Sequence, residues 1–284
     1  MLRAVTCQFP VSCDIRTNAK YIKRFIKKAA AINADIVHFS ETALSGYAEF
    51  DFQSFEDFNW GMLRQQTFEI MDLAKELGIW VILGSTHFIS TKLKPTNCLY
   101  IISDQGEIVN RYDKCMLAGT ESTSDQRYYS FGDHFVTLTM KGIKCGFLIC
   151  YDGCFPEMYN HYRHQGVELM FHSFYNAREA HANILDEYVP ASIRTRAADN
   201  TMWIAANNSS ARHSSWPTCF ARPDGSIANS LVRHKTGMLY HDFPDDHLDG
   251  WIHNKKMMKL APDEVFTNGI TPDHDRIKNR VCLP

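Results

Sequence analysis

The chain has 284 residues, 45% of them hydrophobic, so it can bury a sizeable core as one large domain or two small ones. Its 30 lysines and arginines are balanced by 32 aspartates and glutamates. Without an excess of basic residues to neutralise the phosphates of a nucleic acid, we expect no nucleic-acid partner. We find no long apolar run and no secretory leader pattern, so we expect no membrane partner and a cytoplasmic protein. The nine scattered cysteines fit reduced, buried thiols better than a disulfide framework.

The first part of the chain alternates short strands with amphipathic helices. The segment LRAVTCQF predicts a strand, and TNAKYIKRFIKKAAAINA after it predicts a helix. The apolar stripe of that helix consists of Ile22, Phe25, Ile26 and Ala29. The segment DIVHFS predicts a second strand that ends just before Glu41. A second helix over WGMLRQQTFEIMDLAKELG should end at Gly78 and lead into the strand IWVILGS.

Two hairpins and further alternating elements follow. NCLYIIS and EIVNRY flank the turn signal DQG, and FVTLTM and KCGFLI flank the pair KG. Strands are also predicted at ELMFHS and TMWIAAN, with a long helix near residues 181–199 between them and two short strands around RPDGS. No linker interrupts this order. The pattern predicts one α/β domain over residues 1–250, with residues 251–284 as a C-terminal arm at a subunit interface.

Three polar residues lie at or just past the carboxyl ends of predicted strands, where α/β sheets collect ligands and reacting groups. They are Glu41, Lys114 and Cys150. A cysteine is nucleophilic as the thiolate, a carboxylate can accept its proton, and an ammonium can stabilise an oxyanion. Glu121, close after Lys114, can supply a second carboxylate that orients the lysine or a water. The set predicts a site of nucleophilic catalysis.

The same residues carry a family resemblance. The motifs FSETALSGY, RYDKCML and GFLICYDGCFPE contain Glu41, Lys114 and Cys150 in this order. In these motifs the chain resembles the nitrilase (carbon-nitrogen hydrolase) superfamily, over about residues 2 to 245. The resemblance implies a four-layer αββα sandwich and subunits that pack into a homodimer or a higher homo-oligomer.

The resemblance also implies a reaction. Cys150 would attack an amide carbonyl, with Glu41 as general base and Lys114 as oxyanion stabiliser. Glu121 would be the second glutamate near the lysine, and the backbone amide of Tyr151 would complete the oxyanion hole. Ammonia or an amine would leave, and water would hydrolyse the resulting thioester. The implied enzyme needs no cofactor and no metal.

The residues beside the nucleophile bear on the substrate. Amidase and carbamoylase members of the family more often carry a pair such as YD after the cysteine, as here, so a small-molecule amide or N-carbamoyl substrate is favoured over a nitrile. Substrate contacts are predicted at Tyr47, Tyr151, His172, Asn176 and Arg178, with the arginine for a substrate carboxylate. The pair GC at residues 153–154 departs from the family, in which many members carry a basic or bulky residue there.

Three alternatives stay open at this point. The chain can be a catalytically silent member of the family that binds or scaffolds. The spacing of Cys150, Cys154, His161 and His164 also suggests a zinc site, although no compact two-pair motif is present. A cysteine-histidine protease would use His172, which follows Cys150 on a neighbouring strand.

Overall fold

This computed structural model describes residues 1–176 and 184–244, which form strands and helices in similar proportion. In chain order the strands are β1 (Leu2–Gln8), β2 (Ile36–His38), β3 (Trp80–His87), β4 (Thr96–Ile102), β5 (Ile108–Asp113), β6 (Thr137–Met140), β7 (Ile143–Ile149), β8 (Leu169–Ser173), β9 (Trp203–Asn207), β10 (Cys219–Ala221), β11 (Ile227–Ser230) and β12 (Gly237–Phe243). They form two six-stranded sheets, ordered β12-β1-β2-β3-β4-β5 and β11-β10-β9-β8-β7-β6. Each sheet has a parallel centre, β1-β2-β3 and β7-β8-β9, with antiparallel neighbours outside it.

Helices cover the outer faces. They are α1 (Ile15–Ala31), α2 (Trp60–Leu77), α3 (Ser124–Tyr128), α4 (Pro156–His164) and α5 (Leu185–Asn200), with a 3₁₀ turn over Cys150–Cys154. Asp14 begins α1 because its side chain accepts from the free amides of Arg16 and Thr17. Gly78 ends α2 in the left-handed region, with φ at +60°, which a residue without a Cβ adopts at little cost.

The two sheets pack face to face, and the alternation of each strand divides its side chains between two cores. In β3, Ile82 points into the core between the sheets, whereas Val81 and Leu83 point to α1 and α2. On the second sheet, α4 and α5 contribute Tyr159 and Ile193 to the core they share with the strands. The architecture is the predicted αββα sandwich, and it confirms the expected fold.

A polar cluster fastens the two sheets inside this apolar interface. Nε2 of His38 on β2 lies 2.7 Å from Oγ of Ser173 on β8. Asn207 on β9 donates to Oγ1 of Thr6 at 2.7 Å and to the carbonyl of His38 at 3.0 Å. Burial lowers the pKa of His38 to about 3, so the ring is neutral. The cluster links the strand before Glu41 to the second sheet.

Most predicted elements are confirmed. The stripe of four apolar residues on α1 is buried, both hairpins form, and α2 ends before Gly78 as expected. The long helix begins at Leu185, and residues 177–183 before it are outside the described part. β12, which the sequence analysis did not predict, pairs antiparallel with β1.

Other expectations have different outcomes. The cysteines of the described residues form no disulfide. Within those residues no helix is both long and apolar enough to cross a membrane. The predicted arm, residues 251–284, lies outside the described residues.

Candidate active site

Glu41, Lys114 and Cys150 all follow strands, as predicted, and two of them are buried. Lys114 comes directly after β5 and Cys150 directly after β7. Glu41 follows β2 by a short turn and is 0% exposed, while Lys114 is 1% exposed. Burial of two charged side chains requires that they be paired, because an isolated charge in the interior is very costly.

The turn that carries Glu41 depends on close backbone packing. Gly84 of β3 lies against it, and a Cβ at this position would come within 1.9 Å of the carbonyl oxygen of Ser40. The amide of Leu44 donates to the carbonyl of Gly84 at 2.9 Å and holds the turn on the strand. Only glycine leaves room for this contact.

Lys114 lies between two carboxylates. Its Nζ is 2.8 Å from Oε1 of Glu41 and 2.7 Å from Oδ2 of Asp125. Glu41 also accepts from Nδ2 of Asn97 at 2.7 Å and, through Oε2, from the amide of Tyr175 at 2.7 Å. An ammonium has three donors, so these contacts leave Lys114 one proton for a third acceptor.

The pKa values follow from this arrangement. Burial raises the pKa of Glu41, although Lys114 opposes the shift. Burial alone would lower the pKa of Lys114, but the charges of Asp125 and Glu41 raise it well above its ordinary value. Burial would raise the pKa of Asp125, and the nearby ammonium lowers it instead. Lys114 therefore stays charged, Asp125 stays ionised, and Glu41 is the carboxylate best able to accept a proton.

Asp125 occupies the place that the sequence analysis gave to Glu121. Glu121 lies exposed on the loop before α3, and its side chain makes no contact with Lys114. Asp125, at the start of α3, is 1% exposed and also accepts from the amide of Ala118 at 3.1 Å. The loop turns into a short helix, and this turn brings the later carboxylate inward. The expectation for Glu121 as the second carboxylate beside the lysine is thus corrected.

Tyr47 packs against Lys114 and Asp125. Its hydroxyl donates to Asp125, and its ring lies under Lys114 with Nζ 5.9 Å from the centroid. The ring also stacks on Tyr175 at 4.9 Å. Tyr47 is 3% exposed, so the structure places this predicted substrate contact among the groups that hold the lysine and its carboxylate.

Cys150 stands on a strained turn after β7. Its φ is +43°, in the left-handed region that a residue with a side chain rarely adopts. The negative charge that Cys150 carries as a thiolate contributes to raising the pKa of both Lys114 and Tyr47, so its side chain lies near both. Cys150 therefore lies near the ammonium of Lys114, and its role as the nucleophile stays a prediction.

Asp152 fixes the turn that carries the cysteine. Its carboxylate accepts from the amides of Met116 and Ile149 at 2.7 and 2.9 Å and from the hydroxyl of Tyr112 at 2.8 Å. Burial raises the pKa of Asp152 to about 6. The aspartate thus ties the turn after β7 to β5 and to the loop after Lys114.

His172 is buried next to the backbone of Cys150. Its Nδ1 is 2.6 Å from the hydroxyl of Tyr159, and its Nε2 is 3.1 Å from the carbonyl oxygen of Cys150. The residue is 1% exposed, and burial lowers its pKa to about 3. Both ring nitrogens are engaged by protein atoms, so this geometry does not favour the predicted substrate contact.

The remaining predicted contacts differ in what surrounds them. The side chain of Tyr151 is 38% exposed and packs edge-on against Phe155. Asn176 is 3% exposed, and its backbone amide donates to Oδ1 of Asn208 at 3.1 Å. The side-chain Oδ1 of Asn176 has no hydrogen-bond partner among the described residues. Arg178 lies outside the described residues.

Neither the zinc nor the protease alternative finds support in the geometry. Among residues 1–176 and 184–244 no cluster of three or more histidines, cysteines, aspartates or glutamates could hold a metal ion. His161 stacks on Phe135 at 4.0 Å and bonds Gln165. Both nitrogens of His172 face other partners, the carbonyl of Cys150 and the hydroxyl of Tyr159, and its lowered pKa makes it a poor base, so it is not placed to accept a proton from the thiol.

Asn97, Asp125 and the amide of Tyr175 were not predicted from the sequence, and Asp152 was recognised only as part of the YD pair. Asp152 alone had a visible signal, because it sits in the cysteine motif two residues after the nucleophile. Asn97 reads as the start of an ordinary apolar strand, and Asp125 as part of a polar loop. No local pattern distinguishes either from its solvated neighbours.

Comparisons with known proteins identify a family and several relatives. The carbon-nitrogen hydrolase family model matches residues 3–252. Deaminated glutathione amidase of Yersinia enterocolitica is 30% identical over 56% of this chain and 56% of its own length. The 2-oxoglutaramate amidase of Bacillus subtilis is 28% identical over 67% of this chain and 69% of its own length. The chain thus spans little more than half of the first of these relatives.

Solved structures share the fold. One is a variant of the amidase from Nesterenkonia sp. AN1 that carries the product of acrylamide addition at its active-site cysteine. It superposes with a TM-score of 0.77 at 18% identity, over 95% of this chain and 100% of that chain. At this identity the likeness concerns the fold alone.

Proposed function

The chain belongs to the carbon-nitrogen hydrolase family, and we propose that it hydrolyses a small-molecule amide or N-carbamoyl compound through a thioester on Cys150. One observation carries the proposal. Lys114 lies between Glu41 and Asp125 inside the protein, with the thiol of Cys150 in its electrostatic reach. A charged set of this kind is costly to bury, and it supplies a base, an oxyanion donor and a nucleophile at one place.

The acylation step uses Glu41 as the proton carrier. Sγ of Cys150 attacks the carbonyl carbon, and the thiol proton passes to Glu41, whose raised pKa suits it to take the proton. The tetrahedral intermediate then collapses, the carbon-nitrogen bond breaks, and the leaving nitrogen takes the proton from Glu41. Ammonia or an amine departs and leaves the acyl group on sulfur.

Deacylation reverses these roles with water. Glu41 accepts a proton from the attacking water, and the second tetrahedral intermediate releases a carboxylic acid, or carbamate products from an N-carbamoyl substrate. The thiolate of Cys150 regains its proton. In both steps the free donor of Lys114 and the amide of Tyr151 stabilise the oxyanion. Asp125 holds the ammonium in place without taking the proton, because its pKa is lowered.

Two features bear on the substrate class. Asp152, the second residue after the nucleophile, binds the turn internally, so the YD pair that favours amides over nitriles has a structural use here. Asn176 presents a buried carboxamide oxygen with no partner among the described residues, and it can accept an N–H from a bound amide. Arg178 remains the proposed partner of a substrate carboxylate.

The test is ammonia release from a matched substrate panel. The panel contains a carboxylate-bearing ω-amide, an N-carbamoyl amino acid, a neutral amide analogue and the corresponding nitrile. We expect turnover of an amide or N-carbamoyl compound that is abolished in Cys150→Ala, and faster turnover of charged than neutral substrate that is lost in Arg178→Ala.

Each alternative gives a different result. Faster turnover of the nitrile than of both amides would contradict the substrate class. Equal rates for charged and neutral amides, unchanged in Arg178→Ala, would remove the arginine from the site. Binding of amides without turnover by the wild-type protein would favour the silent family member, and turnover that persists in Cys150→Ala would refute the mechanism.

A further inference from the structure

The carbonyl of Cys150 has a partner on the second sheet. Nε2 of His172, on β8, is 3.1 Å from this oxygen, and the hydroxyl of Tyr159 is 2.6 Å from Nδ1 of the same ring. Phe174 packs against the ring in a tilted arrangement, with 3.9 Å between centroids. The imidazole is therefore held at both nitrogens and on one face.

These contacts fix one tautomer. A carbonyl oxygen only accepts, so Nε2 of His172 must carry the hydrogen and donate to Cys150. Nδ1 then accepts from the hydroxyl of Tyr159. Burial lowers the pKa of His172 to about 3, so the ring keeps this neutral form over the range in which enzymes of this kind are assayed.

The ring also depends on the glycine that departs from the family pattern. A Cβ at Gly153 would lie 2.4 Å from Cε1 of His172. A residue with a side chain at this position would push the ring away from the carbonyl of Cys150. Gly153 and His172 therefore form a complementary pair: the missing side chain leaves the space that the imidazole fills.

The contact at the carbonyl of Cys150 also determines the orientation of the next N–H, because both belong to the same planar peptide. The carbonyl of Cys150 and the N–H of Tyr151 belong to one planar unit and point in opposite directions. The N–H opens the 3₁₀ turn, where the first amides have no acceptor within the helix, and no hydrogen bond engages it among the described residues. Holding the carbonyl on the histidine side thus aims the N–H to the opposite side.

We propose that His172 is a positioning residue: by holding the Cys150 carbonyl, it aligns the Tyr151 N–H as an oxyanion donor. This inference rests on the proposed function. The contacts of the histidine are with Tyr159, Phe174 and the carbonyl of Cys150, and it acts through the peptide that it orients. An unheld peptide on a strained residue, with φ at +43°, can rotate away from the oxyanion.

The test compares two substitutions of similar size. His172→Gln keeps an N–H donor within reach of the carbonyl, and His172→Met has none. Loss of an oxyanion donor costs about 10²–10³-fold in kcat, so we expect misalignment in His172→Met to lower kcat by roughly 10- to 100-fold with little change in KM. His172→Gln should recover most of that loss.

A second readout separates alignment from damage to the nucleophile. Methyl methanethiosulfonate converts the thiolate of Cys150 to a mixed disulfide and releases methanesulfinate, and no oxyanion develops. Its rate at Cys150, followed by peptide mapping, should be unchanged in both variants. Equal kcat losses in His172→Gln and His172→Met, or parallel losses of turnover and thiol reactivity, would overturn the proposal.

A spectroscopic measurement needs no variant to be active. Long-range ¹⁵N–¹H correlation on the wild-type protein should show His172 as the neutral Nε2–H tautomer at neutral pH, and the Nδ1–H tautomer would overturn the proposal. The Cys150→Ala control separates the two claims. If turnover is lost there but the histidine variants behave alike, only this inference fails; if the wild-type protein releases no ammonia from any amide, the proposed function fails and the inference with it.

Discussion

Lys114 is held by two carboxylates of different character. Glu41 and Asp125 both lie within 2.8 Å of its ammonium, yet burial raises the pKa of Glu41 while the ammonium lowers that of Asp125. The different environments of the two carboxylates thus suit Glu41 to accept a proton and Asp125 to remain the ionised partner of Lys114. Pairs of titratable groups whose environments push their pKa values apart are a common way to assign acid and base roles.

Substitution of the two candidate second carboxylates distinguishes the structure from the sequence expectation. We expect Asp125→Asn to lower kcat/KM by about 10²-fold or more, because Lys114 loses a buried counter-ion. Glu121→Gln should change kcat/KM little, since its side chain is exposed. The measurement is steady-state ammonia release by both variants. A larger loss in Glu121→Gln than in Asp125→Asn would contradict the assignment.

The pH profile gives a second prediction at this scale. Glu41 must be ionised to accept the thiol proton, so the acid limb of kcat/KM should lie above the ordinary glutamate value of 4.5. The negative charge of Asp125 contributes to raising this pKa. The residual activity of Asp125→Asn should therefore show an acid limb at lower pH than wild type, and a shift to higher pH would contradict the account.

Single residues were predictable where a strand end marked them. Glu41, Lys114 and Cys150 share that mark, and the structure places all three after strands. Asp125 was not predictable because its burial depends on the loop turning into α3, which contacts distant in sequence determine. His172 was recognised as a candidate from the sequence. The orientation of its ring was not predictable, because it depends on the hydroxyl of Tyr159 and the carbonyl of Cys150.

At the scale of elements, the catalytic turns rest on close contacts between strand and loop. We expect Gly84→Ala to lower the free energy of unfolding by roughly 1–3 kcal/mol or more, because its Cβ would lie 1.9 Å from the carbonyl oxygen of Ser40. Gly61→Ala in α2 is the matched control, since a Cβ at this position would lie 3.7 Å from its nearest neighbour, Oδ1 of Asn59, which is an ordinary contact distance. It should be neutral or stabilising. Urea denaturation of both variants checks this, and equal stability of the two would contradict it.

The turn after β7 should make stability depend on pH. Asp152 has a folded pKa of about 6, raised from the ordinary 3.8 by burial. Because the folded pKa is raised, the contribution of Asp152 to the free energy of unfolding is fully present below about pH 3.8, the ordinary pKa. It is lost as pH rises through about 6. The loss amounts to about 3 kcal/mol.

Asp152→Asn removes this titration. Denaturant unfolding between about pH 4 and pH 7 should therefore show a flatter stability profile in the variant than in the wild-type protein. The absolute stability of the variant is not the readout, because the amide also changes the hydrogen bonds of Tyr112, Met116 and Ile149. Parallel profiles in both proteins would show that Asp152 does not titrate in this range.

The elements themselves were largely predictable, because their signals are local. The periodic stripe of α1, the glycine after α2 and the turn pairs of both hairpins each lie within a few residues. β12 had no such signal: it is partly exposed along most of its length and is defined by pairing with β1, more than two hundred residues earlier. Pairing at such separation is not visible in a local pattern.

At the scale of the whole molecule, the two sheets bring strand ends from distant parts of the sequence to one place. The outer helix layer of the second sheet leaves Tyr188 on α5 42% exposed and Ile184 before it 74% exposed. Exposed apolar groups on a helix layer fit the subunit packing that the family resemblance implies. We expect light scattering at micromolar concentration to give at least twice the monomer mass of 32.6 kDa, and a monomer would end this prediction.

The central claim, an acyl-enzyme on Cys150, can be tested by intact-mass spectrometry after rapid acid quench of a reaction with a hydrolysed amide. The account predicts a mass increase equal to the acyl group, mapped to Cys150, with ammonia released in the first turnover in equal amount. Cys150→Ala should show neither. Ammonia release with no adduct on Cys150 at any quench time, together with turnover that persists in Cys150→Ala, would contradict the account.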